Sequence, residues 1–467
     1  MTFDQIIALA VLAAVIGALV HGRLRPDVVA LTGAAVLLML GVVRPVEVQG
    51  AFASPAVIAL AGLFVIAYAI ELSGLLALLI RQATRLTRVM KAQGIWLVIF
   101  LCGSVGGFLN NTPVVVLAAP VVRDMATNLG LSPKRFLMPL SFIVIMGGLL
   151  TLIGTSTNLL VNDMARNAGQ PVFRLFDITG VGLIIGLSGA AYLYFIGARQ
   201  LDRTASAEEA EMAQLTQAER QRSAGPRRGL LRLLALRLPR WGEARSHPDG
   251  SGDAVLGDVN LYEDGKSRPF EARRAFISLA VFVAVIVVAA TGLAPIAASA
   301  FAGAVLLILL RVITADEAYA GLRPEILLLI AGMVVVGMAI EVTGLAAQAA
   351  SGLIGMVRPL GPFGALVIFY GVTLFATELL SNATVAVLIT PVAVALAEAL
   401  GVDARPFLVA VMMAASAAFA TPFGYQTNVL VFQMAGYTYM DFVRVGVPLN
   451  LVTWVAAMIA IPIFFPF

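Results

Sequence analysis

The chain carries the same polar pattern twice, at positions about 270 residues apart. The matching segments are 69–75 (AIELSGL) with 339–345 (AIEVTGL), 109–113 (LNNTP) with 380–384 (LSNAT), and 154–161 (GTSTNLLV) with 424–431 (GYQTNVLV). The second and third pairs place helix-interrupting residues inside long apolar stretches. At membrane depth such interruptions are tolerated only where they line a cavity. Matched interruptions in two halves of a chain are typical of secondary transporters.

The composition places these interruptions in a membrane. Of the 467 residues, 60% are hydrophobic and 12% are charged, and the mean hydropathy is +0.95. A soluble domain of this length could not bury so much apolar surface, so the sequence predicts a multi-span protein in a lipid bilayer. We expect the first apolar stretch to be a retained span, because the N-terminus lacks the basic region and cleavage site of a signal peptide.

The rarer residue types argue against other classes of protein. Cys102 is the single cysteine, and the two histidines, His21 and His247, are too few for a multi-His metal site. The net charge of +4 includes no large basic domain, so we expect no nucleic-acid partner. No nucleophile–base set is recognisable, so we do not expect an enzyme.

The apolar segments form two sets of six. The fourth segment of each set is about 30 residues long with a polar middle, whereas a straight span needs about 20 residues, so we expect a re-entrant hairpin of two half-helices there. Five spans are an odd number, so the second repeat is inverted relative to the first. The predicted fold is an all-α polytopic membrane protein of two inverted repeats, each with five transmembrane helices and one hairpin. The segments are 5–20, 27–43, 55–80, 94–123, 136–165 and 178–198, then 275–291, 296–313, 325–350, 364–397, 406–435 and 443–465.

Charge distribution predicts the orientation in a bacterial inner membrane. With both termini outside, the short inner loops hold twelve Lys or Arg residues and the outer loops five, as the positive-inside rule requires. The first repeat is 1–198, a polar cytoplasmic linker is 199–272, and the second repeat is 273–467. The basic apolar run at 227–241 fits either a mobile tether or a helix lying on the inner membrane surface.

The hairpin tips have the chemistry of an anion site. Asn110 and Asn111 precede Thr112-Pro113 and an apolar run, and Ser381-Asn382 stands before another. Asn and Ser favour the N-cap position, and Pro is tolerated in the first helical turn. Each tip therefore presents the positive end of a half-helix near the bilayer midplane. Two such ends would clamp a small divalent anion.

The fifth segments are predicted to be broken helices. Gly and Pro residues open them at 154–158 and at 421–424, which frees carbonyls that can coordinate a hard cation. Anion-seeking N–H groups beside cation-seeking oxygens outline cation-coupled anion symport. Capping or helix–helix hydrogen bonding remains an alternative role, above all for Thr157-Asn158 and Thr427-Asn428.

Glu378 lies in the second hairpin, one turn before Asn382. Ionisable groups inside a membrane are functional candidates, so Glu378 could carry a coupling proton or balance a bound cation; a hydrogen-bonded structural carboxyl is the alternative. Glu71 and Glu341 match across the repeats near helix ends, where a structural or interfacial role is expected.

At these motifs the chain resembles the divalent-anion:sodium symporter (DASS) family of the ion transporter superfamily. The family's Ser-Asn-Thr tip reads Asn110-Asn111-Thr112 and Ser381-Asn382-Ala383 here, with Asn110 and Ala383 as departures. The tips and the following GTSTN look most like a branch linked to sulfate uptake. The resemblance implies an elevator-type homodimer. Its scaffold helices would be 1–92 and 273–360, and its transport parts 93–198 and 361–467.

The resemblance also implies the binding residues. Gly106 falls where relatives can supply a hydroxyl, so that ligand is missing here. The implied first Na⁺ site comprises Gly106, Asn110, Asn111 and Gly154, and the second comprises Thr377, Asn382 and Ala420. The implied substrate contacts are Asn111, Thr112, Ser381, Asn382, Thr421 and Pro422.

The predicted function is therefore Na⁺-coupled symport of a small divalent anion, with sulfate first and a C4-dicarboxylate (succinate/citrate-type) second. Three rival functions stay open. A Na⁺/H⁺ antiporter would depend on Glu378, an arsenite-type carrier would not need sodium, and a nutrient sensor would use the linker as its output.

Overall fold

A computed structural model gives the fold over residues 2–21, 24–75, 77–78, 82, 92–202, 270–422 and 424–467. The regular secondary structure of these residues is helical, which confirms the predicted all-α class. The linker, 199–272, lies outside the described residues except for 199–202 and 270–272. The basic run at 227–241 also lies outside them.

The first half of the chain forms helices α1 to α9 in the described residues. They are α1 (Phe3–His21), α2 (Pro26–Met39), α3 (Pro45–Phe52), α4 (Pro55–Leu72), α5 (Ala92–Gly106), α6 (Asn111–Asn128), α7 (Lys134–Gly147), α8 (Ser156–Asn167) and α9 (Thr179–Tyr192). A π-helical turn, Leu193–Gly197, continues α9.

The second half forms helices α10 to α19. They are α10 (Ala272–Ala290), α11 (Ile296–Leu309), α12 (Ala315–Gly321), α13 (Pro324–Val342), α14 (Leu345–Val357), α15 (Gly361–Leu379), α16 (Asn382–Leu400), α17 (Arg405–Ala415), α18 (Gln426–Ala435) and α19 (Tyr439–Phe464).

The helices of the two halves follow the same order. Helices α1–α4 correspond to α10–α13, and α5–α9 correspond to α15–α19. Each predicted hairpin consists of two helices, α5 with α6 and α15 with α16, and each predicted broken segment also consists of two, α7 with α8 and α17 with α18. The polar motifs therefore lie at helix interruptions, as the sequence predicts.

Seven of the described helical stretches are long and apolar enough to cross a membrane, and five shorter apolar helices accompany them. These lengths establish a polytopic membrane protein, while the count of ten spans stays a prediction. The third predicted segments, 55–80 and 325–350, are shorter helices than expected. Their helices end at Leu72 and Val342, because Gly74 and Gly344 adopt left-handed φ angles of 70° and 76° that stop a helix.

The two halves pack against each other through matched small residues. Gly62 of α4 lies against Ala300 of α11, so closely that a Cβ on Gly62 would be 2.5 Å from the Ala300 carbonyl carbon. Gly332 of α13 lies against Ala30 of α2 in the same way, with a corresponding distance of 2.8 Å. Small residues allow helix backbones to approach inside membranes. This reciprocal packing forms the framework beside the hairpins.

Candidate functional site

Both hairpin tips are helix N-termini. Asn110 is the N-cap of α6, and its Oδ1 accepts a hydrogen bond from the Thr112 N–H at 3.2 Å. Ser381 is the N-cap of α16, and its Oγ accepts one from the Thr384 N–H at 3.3 Å. Side chains that cap a helix fix where it begins, so these residues hold the positive ends of α6 and α16 at the tips.

The breaks in the fifth segments are bridged by matched asparagines. No side chain at the N-cap position caps α8 or α18; instead the amides of Asn158 and Asn428 donate to carbonyls before the break. The bonds run from Asn158 Nδ2 to Gly148 O (3.3 Å) and Thr151 O (3.0 Å), and from Asn428 Nδ2 to Ala418 O (2.9 Å) and Thr421 O (3.5 Å). These contacts favour the capping role for both asparagines.

A cavity of about 200 Å³ lies where four helices begin. The sequence predicts two helix N-termini at the substrate, those of α6 and α16, and carbonyls from the breaks. The structure adds the N-termini of α8 and α18 to the same cavity. The described polar lining carries no charged side chain, so helix N-termini, hydroxyls and amides set its electrostatics. The lining residues at these helix N-termini are Asn110, Thr112, Thr155, Ser156, Thr157, Ser381, Asn382, Ala383, Tyr425 and Gln426.

The opposite wall of the cavity is apolar and comes from helices that the resemblance assigns to the scaffold. Leu60, Leu63, Phe64 and Ala67 of α4 line one part of it. Near the start of α13, Ile326 and Leu329 line another. These residues could not be predicted from the sequence, because an apolar residue in an apolar helix carries no signal of facing a cavity.

The structure brings some of the predicted site residues together at the cavity and places others behind it. Five of them line it: Asn110, Thr112, Gly154, Ser381 and Asn382. The remaining predicted residues, Gly106, Asn111, Thr377, Glu378, Ala420, Thr421 and Pro422, are not part of its lining.

Asn111 is 1% exposed and has one unsatisfied atom. Its Nδ2 donates to the Tyr425 hydroxyl at 3.0 Å, whereas its buried Oδ1 has no hydrogen-bond partner. That oxygen faces Gly106, where an added Cβ would be 3.2 Å from it and 2.9 Å from the Val144 carbonyl oxygen. Buried acceptors are normally paired. An unpaired amide oxygen beside a carbonyl is suited to a hard cation.

Gly154 lies close to two more carbonyl oxygens. A Cβ on Gly154 would be 2.5 Å from Gly148 O and 2.9 Å from Gly107 O. The Thr151 hydroxyl donates to the Gly107 carbonyl and accepts from the Gly154 N–H at 3.1 Å. At the predicted first Na⁺ site, several oxygens therefore lie close to Gly106 and Gly154, which have no side chains.

Three oxygens meet at the predicted second Na⁺ site, those of the Thr377 hydroxyl, the Asn382 side chain and the Ala415 carbonyl. The Thr377 hydroxyl oxygen is 2.8 Å from Asn382 Oδ1 and 2.6 Å from the Ala415 carbonyl oxygen. One hydroxyl hydrogen can serve only one of these acceptors at a time. The residues present therefore fit a hard cation. Ala420, the third predicted member, uses its N–H for a bond to Glu378.

Glu378 binds the break between α17 and α18. Its Oε1 accepts from the backbone N–H groups of Phe419 (3.0 Å) and Ala420 (2.8 Å) and from Asn450 Nδ2 (2.7 Å). Its Oε2 accepts from the Thr421 hydroxyl at 3.0 Å. Four donors satisfy this carboxylate, which favours its structural role, while a coupling role stays a prediction.

Two cavity residues outside the predicted site, Tyr425 and Gln426, connect the two halves. Tyr425 accepts the hydrogen bond from Asn111, and Gln426 Oε1 accepts one from the Thr112 hydroxyl at 3.3 Å. Tyr425 is the N-cap of α18, and Gln426 is its first residue. A signal was present, since they occupy the positions matched to Thr155 and Ser156 in the repeated motif.

Comparison with known proteins identifies the family. The citrate transporter family model (CitMHS) matches residues 8–405 and 377–466. An uncharacterized transporter of Synechocystis is 24% identical, covering 92% of both chains, and a putative sulfur deprivation response regulator of Chlamydomonas reinhardtii is 27% identical over 95% of this chain and 98% of its own. Sodium/sulfate cotransporter 1 of C. reinhardtii is 34% identical over 31% of this chain and 17% of its own. The matched family consists of transporters, not enzymes. The chain belongs to the citrate transporter family, which is of the DASS type.

Proposed function

We propose that this protein is a Na⁺-coupled symporter of a small divalent anion, with sulfate as its substrate. The observation that supports the proposal most is the cavity at the beginnings of α6, α8, α16 and α18. Four helix N-termini and neutral donors suit an anion, and the described lining has no cation of its own. Co-transported sodium would supply the positive charge that a divalent anion requires.

Sodium would bind behind the cavity in two places. The unpaired Asn111 Oδ1 beside Gly106 supports the first site, and the oxygens around Thr377 support the second. Each place adjoins a hairpin tip, so a bound cation would hold that tip in the shape that binds the anion. The similarity to sodium/sulfate cotransporters over part of the chain agrees with this coupling.

Two observations favour sulfate over a dicarboxylate as the substrate: the volume of the cavity and the similarity to sodium/sulfate cotransporters. A cavity of about 200 Å³ is below the roughly 300–1,000 Å³ of sites for larger organic ligands, so it suits a compact dianion with its waters. The family's description as citrate transporters supports a second candidate, a Na⁺/dicarboxylate or citrate symporter.

The contacts with the predicted scaffold support an elevator mechanism. Gly337 of α13 packs on α16, where an added Cβ would be 2.5 Å from Val387 Cγ1. The matched residue Ala67 of α4 does not pack on α6 in this way but lines the cavity. Equivalent elements thus make different contacts, as expected if a mobile part has moved along a scaffold built of two inverted repeats. In the opposite state, Ala67 would pack on Val116, the counterpart of Val387.

The proposed setting is a homodimer in a bacterial inner membrane, with both termini outside and the linker, 199–272, in the cytoplasm. The inner loops contain most of the short-loop basic residues, which supports this orientation.

Uptake into proteoliposomes tests the function. Purified protein would be given radiolabelled sulfate or succinate under an inward Na⁺ gradient, with matched K⁺ and H⁺ gradients as controls. We expect accumulation of sulfate that requires the Na⁺ gradient. Accumulation of succinate instead would favour the second candidate, and sodium-driven proton movement without anion uptake would contradict symport.

A further inference from the structure

The two sides of the cavity differ in a way that bears on anion size, if the proposed function holds. Two polar groups of the first hairpin tip are engaged by residues of the second half. Asn111 Nδ2 donates to the Tyr425 hydroxyl, and the Thr112 hydroxyl donates to Gln426 Oε1. Asn110 Oδ1 accepts from the Thr112 N–H of its own half, and the Asn110 Nδ2 group makes no hydrogen bond with a described residue.

The second tip faces small residues instead. Asn382 is 9% exposed and lines the cavity, and its Nδ2 group makes no hydrogen bond with a described residue, since only its Oδ1 is engaged by Thr377. The break beside it ends at Thr155, the N-cap of α8, and Ser156 is the first residue of α8; both are shorter than their counterparts Tyr425 and Gln426. Helix α16, which begins at Asn382, packs on α8, which begins at Ser156.

The difference between the two sides lies in the contacts between tip and break. The first turns of α8 and α18 both lack a side-chain cap, but only beside α8 does the tip amide, Asn382 Nδ2, make no hydrogen bond with the described residues of the break. The cavity thus has two matched half-sites, one at Asn111 and Thr112 and the other at Asn382. Tyr425 and Gln426 cover the first half-site, while the second stays open. An anion with charges at both ends of a four-carbon chain would need both halves, whereas a tetrahedral oxyanion needs only one.

We propose that Tyr425 and Gln426 are specificity-determining residues that cover the Asn111 and Thr112 half-site and restrict the carrier to a compact dianion. Replacing them by the residues of the matched positions, Tyr425→Thr with Gln426→Ser, uncovers that half-site. The variant then has two half-sites that can receive the two carboxylates of succinate.

The test measures Na⁺-dependent thermal stabilisation of the purified full-length protein by sulfate and by succinate, followed by uptake of both. We expect wild type to prefer sulfate, and the double variant to shift the sulfate-to-succinate ratio of apparent affinities by about tenfold or more towards succinate. A wild type that prefers sulfate, with an unchanged ratio in the variant, overturns the inference and leaves the proposed symport intact. A wild type that already prefers succinate also overturns it.

Two single variants keep the test decisive if the double variant does not fold. Gln426→Ser frees the Thr112 hydroxyl and should give part of the shift, while the reciprocal Ser156→Gln fills the open half-site and should abolish sulfate stabilisation. Equal effects of both variants on sulfate would contradict the assigned asymmetry. Absence of any Na⁺-dependent anion effect in wild type would contradict the proposed function together with the inference.

Discussion

The carboxylate of Glu378 in α15 accepts a 2.7 Å hydrogen bond from the side-chain amide of Asn450 in α19. The same carboxylate holds the Phe419 and Ala420 N–H groups of the neighbouring break. In the first half, the counterparts Leu149 and Leu150 keep their N–H groups in turns, bonded to Met146 O and Gly147 O. Glu378 therefore accepts from two N–H groups whose counterparts in the first half are satisfied by turns, and it connects α15, the break and α19.

Replacement of Glu378 separates a structural role from a coupling role. Glu378→Ala should lower stability strongly and abolish uptake, because each buried donor left without a partner costs about 1–3 kcal/mol. Glu378→Gln keeps an acceptor oxygen and should retain Na⁺-dependent uptake at a reduced rate. Thermal unfolding in detergent and uptake would be measured together. A stable Glu378→Gln variant without any coupled transport would show that the negative charge itself is required.

Asn111 and Asn382 test the assignment of the tips. Asn111→Ala or Asn382→Ala should abolish anion uptake with normal expression, because each removes an amide oxygen of a predicted Na⁺ site. Ser104→Ala is the control, since Ser104 is exposed and its hydroxyl bonds only within α5. Normal uptake by either asparagine variant would mean that the site lies elsewhere.

Gly154 should not tolerate a side chain. In Gly154→Ala the new Cβ would be 2.5 Å and 2.9 Å from two backbone carbonyl oxygens, so the break must shift at a cost of about 1–3 kcal/mol. We expect loss of uptake and a lower unfolding temperature. Gly186→Ala in α9 is a matched control, because nothing lies within 4 Å of an added Cβ there. If both variants transported equally well, the close packing around Gly154 would not matter for function.

Cysteine pairs can capture the two proposed states. Cys102 is the single native cysteine, so Cys102→Ala gives a clean background. The pair Gly337→Cys with Val387→Cys should cross-link in the described state, because a Cβ on Gly337 would be 2.5 Å from Val387 Cγ1 and disulfides require such close approach of the two residues. The pair Ala67→Cys with Val116→Cys should cross-link only when the mobile part reaches the opposite state.

Mass spectrometry of the cross-linked protein and uptake before and after reduction give the readout. Both pairs should block transport reversibly. Cross-linking of the second pair at the same rate in all ligand conditions, without any effect on uptake, would contradict an exchange of these contacts.

The sequence allowed the helix interruptions to be predicted, because Asn, Ser, Gly and Pro have strong local preferences at helix ends. The beginnings of α6 at Asn111 and α16 at Asn382 follow from that chemistry. The contact between Asn111 and Tyr425 could not be predicted, because it joins residues 314 positions apart and depends on how the halves pack. The apolar wall at Leu60 and Ile326 could not be predicted either, because an apolar residue in an apolar helix carries no signal of facing a cavity.

The central claim is that sodium and the anion cross together, and reciprocal coupling tests it most directly. Proteoliposomes without a sodium gradient would receive an inward sulfate gradient, and uptake of radiolabelled Na⁺ would be recorded in wild type and in Asn111→Ala. We expect sulfate to drive Na⁺ into wild-type vesicles and to have no effect in the variant. Equal Na⁺ uptake with and without sulfate in wild type would contradict coupled transport.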